Sequence, residues 1–110
     1  MPVTLDEFNA IEMRVGRIRE VKRFPEARKP SYRLTIDFGP LGTRRSSAGF
    51  EPFYSKEELE GRLVVAVMNL PPRQVATMVS EVLVLSAVEA GGRVVLLQPD
   101  KECEPGSLIG

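Results

Sequence analysis

The stretch MRVGRIREVK, residues 13–22, decides how the rest of the chain can fold. Met13 and Val15 alternate with Arg14, the two-residue period of a half-buried strand. The alternation slips at Gly16 and resumes at Ile18. A glycine at a change of phase predicts a β-bulge there, and with it a strongly curved first strand.

Upstream, Thr4-Leu5-Asp6-Glu7 has the T-x-x-E spacing of a capping box, and Leu5, Phe8 and Ile11 share one face of a short helix. Downstream, RFPEARKP (residues 23–30) is dense in proline and charge and reads as a loop. Tyr32, Leu34, Ile36 and Phe38 then alternate with Arg33, Thr35 and Asp37, the clearest half-buried strand in the chain. Gly39-Pro40-Leu41-Gly42 turns into a third strand, TRRSSAG, from Thr43 to Gly49. Ser55-Lys56-Glu57-Glu58 repeats the capping box, and Gly61 stops that helix. Leu63 to Met68 is continuously apolar, which predicts a strand covered on both faces. Met68 to Glu81, MNLPPRQVATMVSE, reads as a loop stiffened by Pro71 and Pro72. Val82 to Val88 is a further strand, turned by Glu89–Gly92 into Val94–Leu97 as a hairpin.

The order is a cap helix, three strands, a short helix and three further strands. With a curved first strand it fits a mainly β, single-domain chain over residues 1–110, a five-stranded Greek-key barrel of the OB type. A β-sandwich is the alternative, but the strands are too few for it. One small core of short strands is marginal alone, so a homodimer is expected. The N- and C-terminal extensions are its natural seam, with Leu5, Phe8, Met68, Leu108 and Ile109 as contacts.

Composition excludes several functions. The 15 basic and 15 acidic side chains cancel, so there is no strong overall field and only a local basic patch is possible. Histidine is absent, removing the commonest general base and metal ligand. The lone Cys103 has no cysteine partner and sits between Glu102 and Glu104, a context that disfavours its thiolate. No nucleophile elbow, phosphate-cradling glycine loop or His-containing triad is present. The chain is therefore read as non-enzymatic and free of cofactors. It has no signal-peptide layout and no apolar run of membrane-spanning length, so it is expected in the cytoplasm without membrane insertion.

A binding surface is better supported. On the third strand Arg44 and Ser46 project to one face, and Arg45 and Ser47 to the other. Arginine and hydroxyl both suit phosphate oxygens, although the same residues also suit a solvated edge strand. Arg14, Arg17, Arg19, Lys22 and Arg23 add charge along the first strand. Arginine outnumbers lysine eleven to four, which favours planar, bidentate contacts. Met68, Met78, Phe50 and Phe53 could line an adaptable apolar pocket at the dimer.

Arg14-Val15-Gly16-Arg17-Ile18 resembles the R-V-G-x-I first strand of the tRNA-binding OB domain. FPEARKPSYRLTIDFGP (24–40), RSSA (45–48), YSKEELEG (54–61), VMNLPPRQV (67–75), SEVLVL (80–85) and VVLLQPDK (94–101) are similar to its free-standing CsaA secretion chaperone-like branch. The resemblance covers essentially the whole chain. It implies an OB fold, a homodimer, and binding of the tRNA outside corner with little sequence demand. For this branch it also implies binding of unfolded or precursor polypeptides bound for the export machinery. The function expected is thus an export-related chaperone holding polypeptide and tRNA in one groove with a basic rim. The alternative is a dedicated structure-specific tRNA-binding protein. By position the binding residues carry over to Arg14, Arg45, Ser46, Ser47, Asn69, Arg73, Met78 and Ser80, and Arg44 and Glu81 beside them complete the candidate RNA- or peptide-binding set. The chain departs from the pattern at Glu81, where many tRNA-binding members have glycine, and at Gly49, where a larger polar side chain is usual. A carboxylate beside a phosphate path opposes RNA, so Glu81 weighs for polypeptide.

Overall fold

The computed structural model describes residues 1–110. Its central sheet has five strands in the order β3-β2-β1-β4-β7: β1 Met13–Arg23, β2 Tyr32–Asp37, β3 Thr43–Ala48, β4 Leu63–Val67 and β7 Leu83–Val84. Two short helices, α1 Leu5–Asn9 and α2 Lys56–Leu59, lie before β1 and between β3 and β4. The chain is thus mainly β, a nearly closed five-stranded barrel of the OB type.

β1 makes the barrel possible by serving two neighbours. Its first half, Met13 to Arg17, pairs antiparallel with β4, and from Arg17 to Arg23 it pairs with β2. The bulge expected at Gly16 is elsewhere. The ladder runs regularly through Gly16↔Val64, and the register shifts between Ile18 and Glu20, leaving Arg19 as the extra residue. Gly16 has a different task. A Cβ there would lie 2.6 Å from Ile36 Cγ2 and 2.6 Å from Phe38 Cε1, so the strand can coil over β2 only without a side chain.

The alternation read in β2 holds: Tyr32, Leu34, Ile36 and the following Phe38 are buried, and Arg33, Thr35 and Asp37 face outward. They meet Ile18, Val21, Val64, Ala66, Val84, Leu96 and Leu59 of α2 in one core. β4 is buried at all five positions, as its unbroken apolar run requires. Both capping boxes form, with Thr4 and Ser55 accepting from the N–H of Glu7 and Glu58, whose carboxylates return to the caps. Gly61 follows α2 at φ +82.

Two segments differ from expectation. Val82 to Val88 is not one strand but β7 and then β8 Ser86–Val88, interrupted at Leu85, whose N–H turns back to the Val65 carbonyl. β8 pairs with β9 Val94–Leu96 in a separate hairpin. The segment read as a loop, Met68 to Glu81, contains another hairpin, β5 Arg73–Val75 with β6 Met78–Ser80. α1 has no fully buried residue: Leu5 is exposed, and Phe8 is half-buried beside Leu108 and Ile109. No helix is long and apolar enough to cross a membrane.

Four carboxyl groups are held below the ordinary carboxylate range. The backbone N–H of Thr4, Ser55 and Gly39 does this for Glu7, Glu58 and Asp37, and the Arg93 guanidinium does it for Glu89. A carboxyl depressed in the folded chain stabilises it above the unfolded value, near pH 4, and that contribution is lost as pH falls through the folded value. Denaturant midpoints are therefore expected to hold from pH 7 to about 5 and to fall on an acid limb below about pH 4. A midpoint that rises on acidification would contradict the assignment.

Candidate functional site

OB barrels present the face of their second and third strands, flanked by the first and fourth interstrand loops, to oligonucleotides. Here that region comprises the outer face of β2 and β3, the loop 24–31, and the connection from β4 to β7 that carries the β5–β6 hairpin. The alternation that buries Leu34 and Ile36 turns Arg33 and Thr35 outward, and β3 turns Arg45 and Ser47 outward beside them. The register sets Arg33 opposite Ser47 and Thr35 opposite Arg45.

The hairpin is fastened to the free edge of β3 by three side-chain bonds and one backbone bond rather than by a ladder. Arg45 N–H donates to Glu81 Oε1 at 2.9 Å, and Glu81 N–H donates to the Arg45 carbonyl at 2.8 Å. Ser47 N–H donates to Ser80 Oγ at 3.0 Å, and Ser46 Oγ donates to the Val82 carbonyl at 3.0 Å. These bonds satisfy edge groups that would otherwise be open to another strand. They also continue the Arg33–Ser47 row into Ser80 and its partner Arg73, since Arg73 pairs with Ser80 across the hairpin. Three inter-strand steps, on the order of 15 Å, separate the backbones of Arg33 and Arg73.

The residues singled out from sequence divide in two. Arg45 and Arg73 are exposed and make no side-chain hydrogen bond or ion pair, and Ser47 lies between them and Arg33 on the same surface. Arg73, Ser80 and Glu81 line a cleft of about 100 Å³ with Leu70, Pro71, Val82 and Leu83. The others are spent inside the chain. Ser46 is 1% exposed, and Met78 is 3% exposed within β6. Arg14 pairs with Glu12 at 2.9 Å and donates to the Gly106 carbonyl at 3.0 Å. Arg44 turns back on the carbonyls of Leu41 and Thr43. Asn69 uses both ends of its amide: Oδ1 accepts from Glu12 N–H at 2.9 Å and Nδ2 donates to the Ala10 carbonyl at 2.7 Å. It splices the β4–β7 connection to the corner between α1 and β1.

The four residues considered for an apolar pocket are not gathered around one cleft within a chain. Phe50 is in the core, Met68 packs on the core, and Phe53 lines a separate cleft of about 550 Å³ beside α2. Leu70, Val79 and Leu83 are the exposed apolar side chains of the β4–β7 connection and β7. Away from this face, Glu58, Glu60, Asp100 and Glu102 line a cleft of about 410 Å³ between α2 and the C-terminal segment, interleaved with Arg17, Arg62 and Lys101. Arg17 at that cleft is neutralised by Glu102. Sequence reading passed over Arg33, because only the cross-strand register places it beside Ser47; its outward position in the β2 alternation was the available signal.

The hairpin tip stores a little strain. Ala76 has φ +48, a left-handed conformation that disfavours a side chain, and it is braced by Gln74 Nε2 donating to its carbonyl at 2.8 Å. Ala76→Gly is expected to raise stability by about 0.5–1 kcal/mol, the roughly 1–2 kcal/mol left-handed penalty it relieves less the cost of glycine's added freedom when unfolded, read as a small rise in the thermal midpoint. A fall in the midpoint would show that the tip is unstrained.

Comparison with known proteins bears on the family and the fold. The family model for the tRNA binding domain matches residues 13–108. The chaperone CsaA from Bacillus anthracis str. Ames superposes with a TM-score of 0.93 at 45% identity, covering 100% of both chains. The CsaA chaperone from Picrophilus torridus gives 0.92 at 46% identity, covering 99% of this chain and 100% of the other. The methionine–tRNA ligase of Pyrococcus abyssi is 40% identical over 99% of this chain, which spans only 15% of that enzyme.

Proposed function

The chain belongs to the tRNA binding domain family, and on that premise we propose that it is a non-enzymatic binding protein for tRNA and unfolded or precursor polypeptides. Both ligands would use the surface formed by β2, β3 and the β5–β6 hairpin. The observation that carries this reading is the coincidence there of unpaired arginines, Arg33, Arg45 and Arg73, with exposed Leu70, Val79 and Leu83. Arginines of this kind suit phosphate oxygens with little regard to base sequence. The apolar side chains suit an extended, partly apolar polypeptide, as the likeness to CsaA chaperones also suggests.

Glu81 no longer opposes RNA as strongly as its charge implies, because one carboxylate oxygen is engaged by the Arg45 N–H. The chain acts in the cytoplasm as a homodimer that delivers polypeptides to export machinery. Leu5 and Leu108, 73% and 60% exposed, are its seam, with Phe8 and Ile109 half-buried beside them. Competition tests the shared surface: labelled tRNA is bound, then a permanently unfolded, carboxymethylated polypeptide is titrated in. Displacement, with both ligands weakened by Arg73→Glu, is the expected result. Binding of tRNA without displacement would leave the dedicated tRNA-binding reading in its place.

A further inference from the structure

The connection from β4 to β7 is hydrogen-bonded to the barrel at its two ends only. At the far end Ser80 and Glu81 meet the edge of β3. From Leu70 to Val79 every hydrogen bond closes within the hairpin, through the β5–β6 ladder and Gln74. The near end is Asn69. Its amide is oriented by one donor and one acceptor, Glu12 N–H at 2.9 Å and the Ala10 carbonyl at 2.7 Å. Beside them Met68 N–H donates to the Glu12 carbonyl at 2.7 Å.

The corner that Asn69 grips is itself tied down. Glu12 Oε2 accepts from Arg14 Nε, Arg14 Nη1 donates to the Gly106 carbonyl, and Arg14 forms a β-bridge with Leu108. From that base only Leu70, Pro71 and Pro72 lead to Arg73. Each proline ring fixes its own φ, and Leu70 and Pro71, both preceding a proline, are kept out of the helical region. The stalk is therefore stiff, and it carries the position of its foot to Arg73. Held at the far end alone, the hairpin would be free to turn about Ser80 and Glu81. Arg73, on the outer strand of the hairpin, would move most.

We propose that Asn69 is a positioning residue for tRNA binding, which holds the β5–β6 hairpin so that Arg73 stays in reach of the phosphate path without touching RNA itself. This rests on the tRNA-binding reading and deepens it. Asn69 is exposed, so its residue type alone would make it a direct contact. The two roles differ in one measurable respect, because Asn69 carries no charge. Losing a direct contact would weaken binding and leave the number of neutralised phosphates, and with it the salt slope, unchanged. Losing the anchor would displace Arg73 and remove one phosphate from the count.

The test is the affinity of whole tRNA across a salt series for the wild type, Asn69→Ala, Arg73→Ala and the double variant. Asn69→Ala is expected to weaken binding about 5-fold and to reduce the slope of log affinity against log salt by roughly 0.7–0.9, although no charge is removed. Arg73→Ala should reduce the slope by the same amount. Residues that act through one another give non-additive losses, so in the Arg73→Ala background Asn69→Ala should cost less than about 2-fold. Asn69→Ser keeps a hydroxyl at the corner and should fall between the wild type and Asn69→Ala, and it serves if Asn69→Ala fails to fold. An unchanged slope in the Asn69 variants, or the same fold-loss in both backgrounds, would overturn the positioning role and leave tRNA binding standing. Failure of the wild type itself to bind tRNA would sink the role together with the reading beneath it.

Discussion

Raising salt from 50 to 200 mM is expected to weaken tRNA binding by about 40-fold. The figure follows from three arginines, Arg33, Arg45 and Arg73, each neutralising one phosphate and releasing its counterion. At roughly 0.9 per phosphate the slope is about −2.7, and a fourfold change in salt then gives the loss. The chain carries no net charge, so a non-specific attraction of the whole molecule cannot supply such a slope. It must come from the arginines of the β2–β3 face and the hairpin that make no ion pair. Titration of fluorescent tRNA at four salt concentrations reads the slope directly. A slope near zero would mean that stacking or apolar contact, rather than phosphate, holds the RNA.

Gly16→Ala is expected to cost about 2–3 kcal/mol, the upper part of the range for forcing an extra methyl into a packed core. The atoms in its way are Ile36 Cγ2 and the Phe38 ring, which are wholly buried and cannot swing into solvent. The thermal midpoint should fall by about 10 °C or more for a domain of this size. Because Gly16 sits where β1 passes over β2, relief would require the strand to lift from the sheet and open the barrel between β1 and β2. A midpoint unchanged within a degree or two would show that the strand has slack. A bulge at Gly16, as the sequence pattern suggested, would have tolerated alanine more easily, so this variant also separates the two roles.

That difference shows which features of the fold are legible in a sequence. The β2 alternation, both capping boxes and the buried β4 depend on neighbours within a few residues, and each could be read correctly. The phase slip in β1 was visible too, but not its cause. Whether a glycine accommodates a bulge or a packed ring depends on Phe38, 22 residues away in sequence. The β5–β6 hairpin was hidden by Pro71 and Pro72, which signal a loop, and by a tip of Ala76 and Thr77 that lacks the usual glycine or asparagine.

The proposed binding surface shows the same division. Arg45, Ser47 and Arg73 could be picked out by residue type. Ser46, one residue from Ser47, could be recognised as a core hydroxyl only once its Val82 partner was known. Asn69 reads as an exposed polar contact, yet its amide is committed to Glu12 and Ala10, more than fifty residues away. Glu81 looked out of place beside a phosphate path because its bond to the Arg45 N–H is an event between distant strands. Arg33 was missed for the converse reason: its importance lies in the neighbours that register supplies.

The most direct test of the proposed surface is to titrate tRNA into isotopically labelled protein and follow the backbone amide resonances. The largest perturbations are expected at Arg33, Arg45, Ser47 and the hairpin from Arg73 to Ser80, with the region of Glu58, Glu60 and Glu102 unaffected. Saturable binding whose perturbations cluster around α2 and the C-terminal segment, sparing β2 and β3, would contradict it.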